Sequence, residues 1–242
     1  MKVSKQEKAR TRRKIINAAV ELMGEKGFSK VSMRTIARAA KIGDATIYKY
    51  FPSKEKLLVG YYALCAEDTA EAIQNIDDIE QYALHEKLQV LLDTWLGHML
   101  TNREFVCESF PLIYQSPMFL FSQVNPIHQE LIPTIAQFLD DAREKEDIPA
   151  FPFQGALPDI LCEYMIGVLY FWTQDESEDF HETTQLIDLS LNFAVTLLKS
   201  GIINHTADFL GFMLKSQMFR VLNPGNGLLQ RMLHANKMAA NK

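Results

Sequence analysis

Apolar residues recur every three or four positions along most of the chain, a spacing that predicts helices rather than strands. Ile15, Ile16, Ala19, Leu22 and Met23 share one face of a helix over 8–26, with Gly27 as its C-cap. Ser32 is the expected N-cap of a short helix over 33–40, whose inner face carries Ile36, Ala37 and Ala40. Lys41-Ile42-Gly43 makes a tight connection to a second short helix over 44–50. Pro52 stops that helix, and Ser53 restarts the chain as the cap of a long helix from Lys54 to about Gln74. Further helices are expected over 79–101, 103–115, 126–146, 155–174, 180–200 and 205–222. The breaks are expected at Pro111, Pro117, Pro126, Pro149, Pro152, Pro158 and Gly201. The tail 223–242 opens with Asn-Pro-Gly-Asn-Gly and is expected to be mobile. The expected fold class is all-α, with a three-helix head over 1–60 followed by a larger helical domain over 61–222.

Two short helices joined by a tight turn have the form of a helix-turn-helix. Such a unit needs small residues where its helices cross, and Ala37, Ala40 and Ala45 supply them. It also needs an exposed start to the second helix, to enter a major groove, and donors at the rim to grip phosphates. Charge agrees. The first 60 residues hold 15 Lys and Arg against 5 Asp and Glu, a net +10; the remaining 182 hold 10 against 25, a net −15. A basic head on an acidic body points the head toward a polyanion.

Residues 32–51 read Ser-Met-Arg-Thr-Ile-Ala-Arg-Ala-Ala-Lys-Ile-Gly-Asp-Ala-Thr-Ile-Tyr-Lys-Tyr-Phe. Together with Glu25-Lys26-Gly27-Phe28 before them and Ser53-Lys54-Glu55-Lys56-Leu57-Leu58 after them, they resemble the TetR family of transcription regulators, over about residues 9–69. The resemblance implies a DNA-binding head followed by a ligand-binding and dimerisation domain. It implies that Ser32 meets a phosphate while capping its helix. Arg34, Gly43, Asp44, Ala45 and Thr46 would face base edges or the adjacent backbone. Tyr48, Lys49, Tyr50 and Lys54 match phosphate-gripping positions, whereas Ile47 and Phe51 belong to the core. Tyr48 and Tyr50 also suit packing between helices, and Lys26, Lys30 and Arg38 suit a solvated surface. Three positions depart from the family pattern. Lys41 stands where a turn glycine is common, Gly43 where a Ser or Thr cap is usual, and Asp44 where a basic or neutral residue is frequent. Asp44 is therefore a candidate substitute cap, and its carboxylate is able to accept from a cytosine amino group.

Beyond residue 69 the reading rests on pattern. Over 155–174 one stripe includes Leu161, Tyr164, Val168, Phe171 and Trp172, and a second apolar face carries Cys162, Ile166, Leu169 and Tyr170. The next helix is apolar nearly all round, with Leu189, Phe193 and Leu197 among its residues. A helix apolar on two faces is covered on both. In TetR-like proteins the corresponding last two helices form a four-helix dimer interface, so Leu161, Tyr164, Val168, Phe171, Trp172, Leu189, Phe193 and Leu197 are the expected dimer residues. The homodimer would place two recognition helices on a near-palindromic operator in double-stranded DNA.

The middle helices are rich in aromatics and Met. Trp95, Met99, Phe105, Phe110, Tyr114, Phe138 and Tyr164 are candidate lining for an apolar ligand pocket, as well as core. Lys87, Arg103, Arg143 and Lys145 are the only Lys or Arg residues from 61 to 198. Such an interior favours a small neutral, hydrophobic or cationic ligand over a polyanion. The apolar segment 205–222 is expected to cap the sensor or cross to a partner subunit; contact with a lipid surface is the less favoured use.

No nucleophile elbow, phosphate loop, metal-spaced His pair or dinucleotide fingerprint is present, so neither an enzyme, a cofactor nor a metal site is expected. Three well-separated cysteines argue against a disulfide framework. The polar N-terminus and the lack of about 18 apolar residues in a row suggest a cytoplasmic protein. The expected activity is that of a ligand-responsive repressor. The rival is a lipid-binding protein of the same fold without DNA binding.

Overall fold

The computed structural model describes residues 4–114, 126–150 and 154–202. Among these residues the regular structure is all helical. The head contains α1 (Lys5–Lys26), α2 (Met33–Ala39) and α3 (Asp44–Tyr50), and α4 (Lys54–Gln74) leads out of it. The body contains α5 (Leu84–Leu100), α6 (Arg103–Tyr114), α7 (Pro126–Glu144), α8 (Leu157–Gln174) and α9 (His181–Lys199). The expected 205–222 helix and the tail 223–242 lie outside the described residues, as do Met118, Phe119 and Phe121.

Serine side chains cap three of the helix starts. Ser4 Oγ accepts from the Glu7 N–H at 3.1 Å, so α1 begins earlier than residue 8. Ser32 and Ser53 cap α2 and α4 as expected, accepting from Thr35 N–H at 3.1 Å and Lys56 N–H at 3.3 Å. The fifth helix starts at Leu84 rather than 79. Asp78, at φ +57, breaks the chain ahead of a 3-10 turn, and the Glu86 carboxylate accepts from the Ala83 N–H at 2.8 Å. Two expected breaks are overturned. Pro111 lies inside α6, where the buried face of Phe105, Val106, Phe110 and Ile113 carries the helix through it. Pro158 lies in the first turn of α8, where its missing N–H has no partner to lose.

One hydrophobic cluster runs without interruption from the head into the body. Ile15, Ile16, Ala19, Ile36, Ala37 and Ile47 are fully buried in the head, and Leu57, Leu58 and Tyr62 of α4 continue that core. From there α4 packs on α1, α5, α6 and α7. The closest seam is between Phe51, just past α3, and Gly60 of α4. A Cβ on Gly60 would lie 2.5 Å from Phe51 Cε1.

Two charged side chains are buried with partners. The Lys87 ammonium, on a residue 2% exposed, lies 2.7 Å from the Asp141 carboxylate of α7 and 5.4 Å from the Phe138 ring centre. Asp175, between α8 and α9, accepts from the backbone and hydroxyl groups of Ser177 and Thr183. Burial pushes this carboxyl up, but those bonds outweigh it and hold it well below the usual carboxylate range. The cysteine thiols are unpaired, and burial pushes Cys65 and Cys162 up to about 12 and Cys107 upward as well.

These contacts make two predictions. Gly60→Ala forces Phe51 from its seat, and urea unfolding should show a loss of about 1–3 kcal/mol. Asp141→Ala leaves the Lys87 charge buried alone. The usual cost of about 3–5 kcal/mol is reduced to about 2 kcal/mol because Asp141 is partly exposed, and Lys87→Met in that background should recover most of the loss.

Candidate nucleic-acid interface and apolar interior

At seven residues, α3 is too short to be stable alone, so its position is set by what it packs on. Ile47 and Phe51 are buried, and the turn before α3 is closed by the Ile42 N–H donating to the Ala37 carbonyl at 3.0 Å. Lys41 takes φ +54 in that turn. The turn therefore does use the left-handed conformation that favours glycine, at a strain of about 1 kcal/mol for Lys. Ala37 and Ala40 are buried at the crossing of α2 and α3; Ala45 is not, and stands exposed at the outer end of α3.

The outer face then reads in order. Ser32 is exposed, its hydroxyl shared between the Thr35 N–H and the Thr35 hydroxyl at 2.8 Å. Arg34 and Asp44 form an ion pair, Nε to Oδ2 at 2.8 Å, with side chains 74% and 52% exposed. Asp44 does not cap α3. Gly43 occupies the cap position without a side-chain bond, and Asp44, one residue further in, pairs with Arg34 instead. Thr46 is half-buried, while Tyr48, 53% exposed, and Lys49 point outward.

Two of the expected phosphate contacts are drawn inward. Tyr50 is half-buried against the core. Lys54 donates to the Phe28 carbonyl at 2.9 Å and sits 4.2 Å over the Phe28 ring, so it latches the start of α4 to the end of α1. Lys26, Lys30 and Arg38 are exposed.

In the body, Trp95, Met99, Phe105, Phe110 and Phe138 are buried and Tyr114 is half-buried. Only some of them form one feature. Phe105, Tyr61, Tyr62, Phe110, Tyr114 and Tyr170 make a chain of ring contacts with centroids 4.9–5.7 Å apart. Phe138 instead lies against Lys87, and the Tyr164 hydroxyl meets Ser190 at 2.6 Å on the α8–α9 side. The reading of the sequence missed Tyr61, Tyr62 and Tyr170 as members; the adjacent tyrosines inside an apolar helix were the available signal. The Trp95 indole N–H is buried and meets no acceptor among the described residues.

The expected dimer set divides in the same way. Leu161, Val168 and Trp172 are buried in the chain's own core and are not free for a partner. Phe171 (37%), Leu189 (61%) and Phe193 (70%) are exposed, as is Ile160 (60%), while Tyr164 and Leu197 are half-buried. No described helix is long and apolar enough to cross a membrane.

Comparison with known proteins supplies the family. Residues 15–61 match the family model described as bacterial regulatory proteins, tetR family, and residues 87–213 the one described as tetracyclin repressor-like, C-terminal domain. The fatty acid metabolism regulator protein of Bacillus subtilis is 28% identical over 196 residues, 78% of this chain and 94% of that protein. The Bacillus subtilis regulator YuxN is 36% identical over 87 residues, 35% of this chain and 30% of that protein. The crystal structure of FadR from Bacillus subtilis in complex with stearoyl-CoA shares the fold, with a TM-score of 0.56 and 22% identity over 78% of this chain and 98% of that one. With its head and its body matched in order, the chain belongs to the TetR family of transcriptional regulators.

Proposed function

We propose that this chain is a homodimeric cytoplasmic repressor that leaves its operator when a long-chain acyl thioester binds in the body. The observation that carries the DNA-binding half is the exposed start of α3, flanked by Ser32, Arg34, Tyr48 and Lys49 on a head of net charge +10. The contact set is narrower than sequence suggested. Tyr48 and Lys49 grip phosphate, Arg34, Asp44 and Ala45 face base edges, and Lys54 holds the head in place.

The ligand is suggested by the name of the Bacillus subtilis relative and by the stearoyl-CoA bound to the structural neighbour. The interior suits the acyl chain rather than the nucleotide. Its lining is aromatic, and the four Lys and Arg residues from 61 to 198 are all engaged within the chain. Lys87 pairs with Asp141, Arg143 with Asp140, Arg103 donates to the carbonyls of Trp172 and Asp175, and Lys145 to that of Glu80. The unpaired Trp95 N–H is a ready donor for a thioester oxygen.

The dimer reading rests on a stripe. Ile160, Tyr164, Gly167 and Phe171 follow one another on α8 at intervals of four, three and four, and Leu186, Ser190, Phe193 and Leu197 do the same on α9. A Cβ on Gly167 would meet nothing within 4 Å, so this face is open to close approach by a second copy.

Genomic fragments retained by the full chain should include discrete operators. Replacing Tyr48 and Lys49 by Ala should weaken binding by about tenfold or more and flatten its salt dependence. Stearoyl-CoA should release the operator while free CoA and stearate leave it bound; release by free CoA alone would sink the acyl reading. Binding of stearoyl-CoA by a protein that retains no DNA would favour the lipid-binding alternative. Phe193→Arg should give monomers in sedimentation and lose operator binding; an unchanged dimer would move the interface elsewhere.

A further inference from the structure

The Arg34–Asp44 pair joins two elements of the helix-turn-helix at the surface proposed to meet DNA. Arg34 is the second residue of α2 and Asp44 the first of α3. Both side chains are more than half exposed, so the pair adds at most about 1 kcal/mol to folding. An acid in the first turn of α3 adds about 0.3–1 kcal/mol more, yet at this surface a lone carboxylate would repel the phosphates on either side of the groove.

The geometry gives it another use. Asp44 Oδ2 lies 2.8 Å from Arg34 Nε, and neither Nη nitrogen of Arg34 has a hydrogen-bond partner among the described residues. The guanidinium thus stands beside the carboxylate with its two-nitrogen fork free. Guanine presents two acceptors, O6 and N7, on its major-groove edge, and that fork matches them. The second Asp44 oxygen is likewise without a partner among the described residues and accepts only from a donor, which at a base edge is the amino group of cytosine or adenine.

We propose that Arg34 reads a guanine in each half-site and that Asp44 is the positioning residue that aims it. The inference rests on the DNA-binding reading above. The pair also screens the carboxylate, so Asp44 lowers affinity for unrelated DNA while sharpening the choice of one base pair. A lysine in place of Arg34 would supply one point donor and no fork.

The test uses operators selected from a random duplex library by the full-length protein, followed by binding to duplexes with each G·C pair changed in turn to A·T. In the wild-type protein one G·C pair per half-site should cost about tenfold or more when changed. Arg34→Lys should reduce that cost to less than about twofold and leave the other positions intact. Asp44→Ala should reduce it to a few-fold and raise affinity for a scrambled duplex. The double variant should discriminate no worse than Arg34→Lys alone, because Asp44 acts through Arg34. Helical circular dichroism separates these effects from unfolding, and Asp44→Asn, which keeps an acceptor oxygen, gives an intermediate preference if Asp44→Ala is poorly folded. Full retention of every G·C preference in Arg34→Lys or in Asp44→Ala overturns the proposal while leaving DNA binding standing. Failure of the wild-type protein to select any sequence overturns the DNA-binding reading, and this one falls with it.

Discussion

The contact between the Phe51 ring and the bare α-carbon of Gly60 fixes where the recognition helix stands. A seven-residue helix has too few internal hydrogen bonds to hold itself. It is held because its last turn runs into a phenyl ring that lies on α4 closer than any side chain would permit. The Lys54 latch to the Phe28 carbonyl, from the first turn of the same α4, secures the other side of the head. The α4 helix is thus both the floor of the head and a wall of the body, and a rotation of α4 moves α3 with it.

Charge is divided in a way that the net figures conceal. The head is strongly basic, yet part of that charge is turned inward. Arg12 faces Glu67 at 3.4 Å and Arg13 faces Asp68 at 2.5 Å, both across the α1–α4 seam. Asp68 raises the Arg13 pKa through that bond. Exposed pairs of this kind add little to stability. Their consequence is that the acidic stretch of α4 neutralises two of the cations of α1, while Arg34 pairs with Asp44 and Lys49 stands exposed on α3.

The head was largely legible in the sequence because its determinants are local. Ser32, Ser53 and Gly27 act within a few residues of where they stand, and the alternation of buried and exposed positions in α2 follows the helical period. What sequence did not reveal there were side-chain contacts with a distant partner. Lys54 is tied to Phe28, and Asp44 to Arg34 rather than to its own helix end. The body was legible as helices but not as faces. On α8 nearly every position is apolar, so no polar side marks which stripe faces inward. Leu161, Val168 and Trp172 and their neighbours Ile160 and Phe171 look alike until α6 and α7 are in place. The start of α1 lies ahead of the apolar pattern, at the Ser4 side-chain cap, and that of α5 follows a left-handed turn at Asp78; periodicity registers neither.

The same placement gives α6 two attachments that matter together. At its first residue, Arg103 donates to the Trp172 and Asp175 carbonyls at 3.1 and 2.6 Å, and its guanidinium lies over the Trp172 and Phe180 rings. Near its other end, Glu108 and Leu112 line a cleft of about 370 Å³ whose opposite wall is Lys26 to Lys30 of the head. Between the two lie Phe105 and Phe110, members of the ring chain that also includes Tyr61 and Tyr62 of α4. A body that must change DNA affinity has to offer a ligand two arrangements with different contacts. The end held at Arg103 resists displacement, because moving it would strip two carbonyls of their donor and expose a half-buried cation. The end facing the head has open space beside it. An occupant between the rings of α4 and α6 would meet its firmest resistance at Arg103 and its least where α6 faces the head.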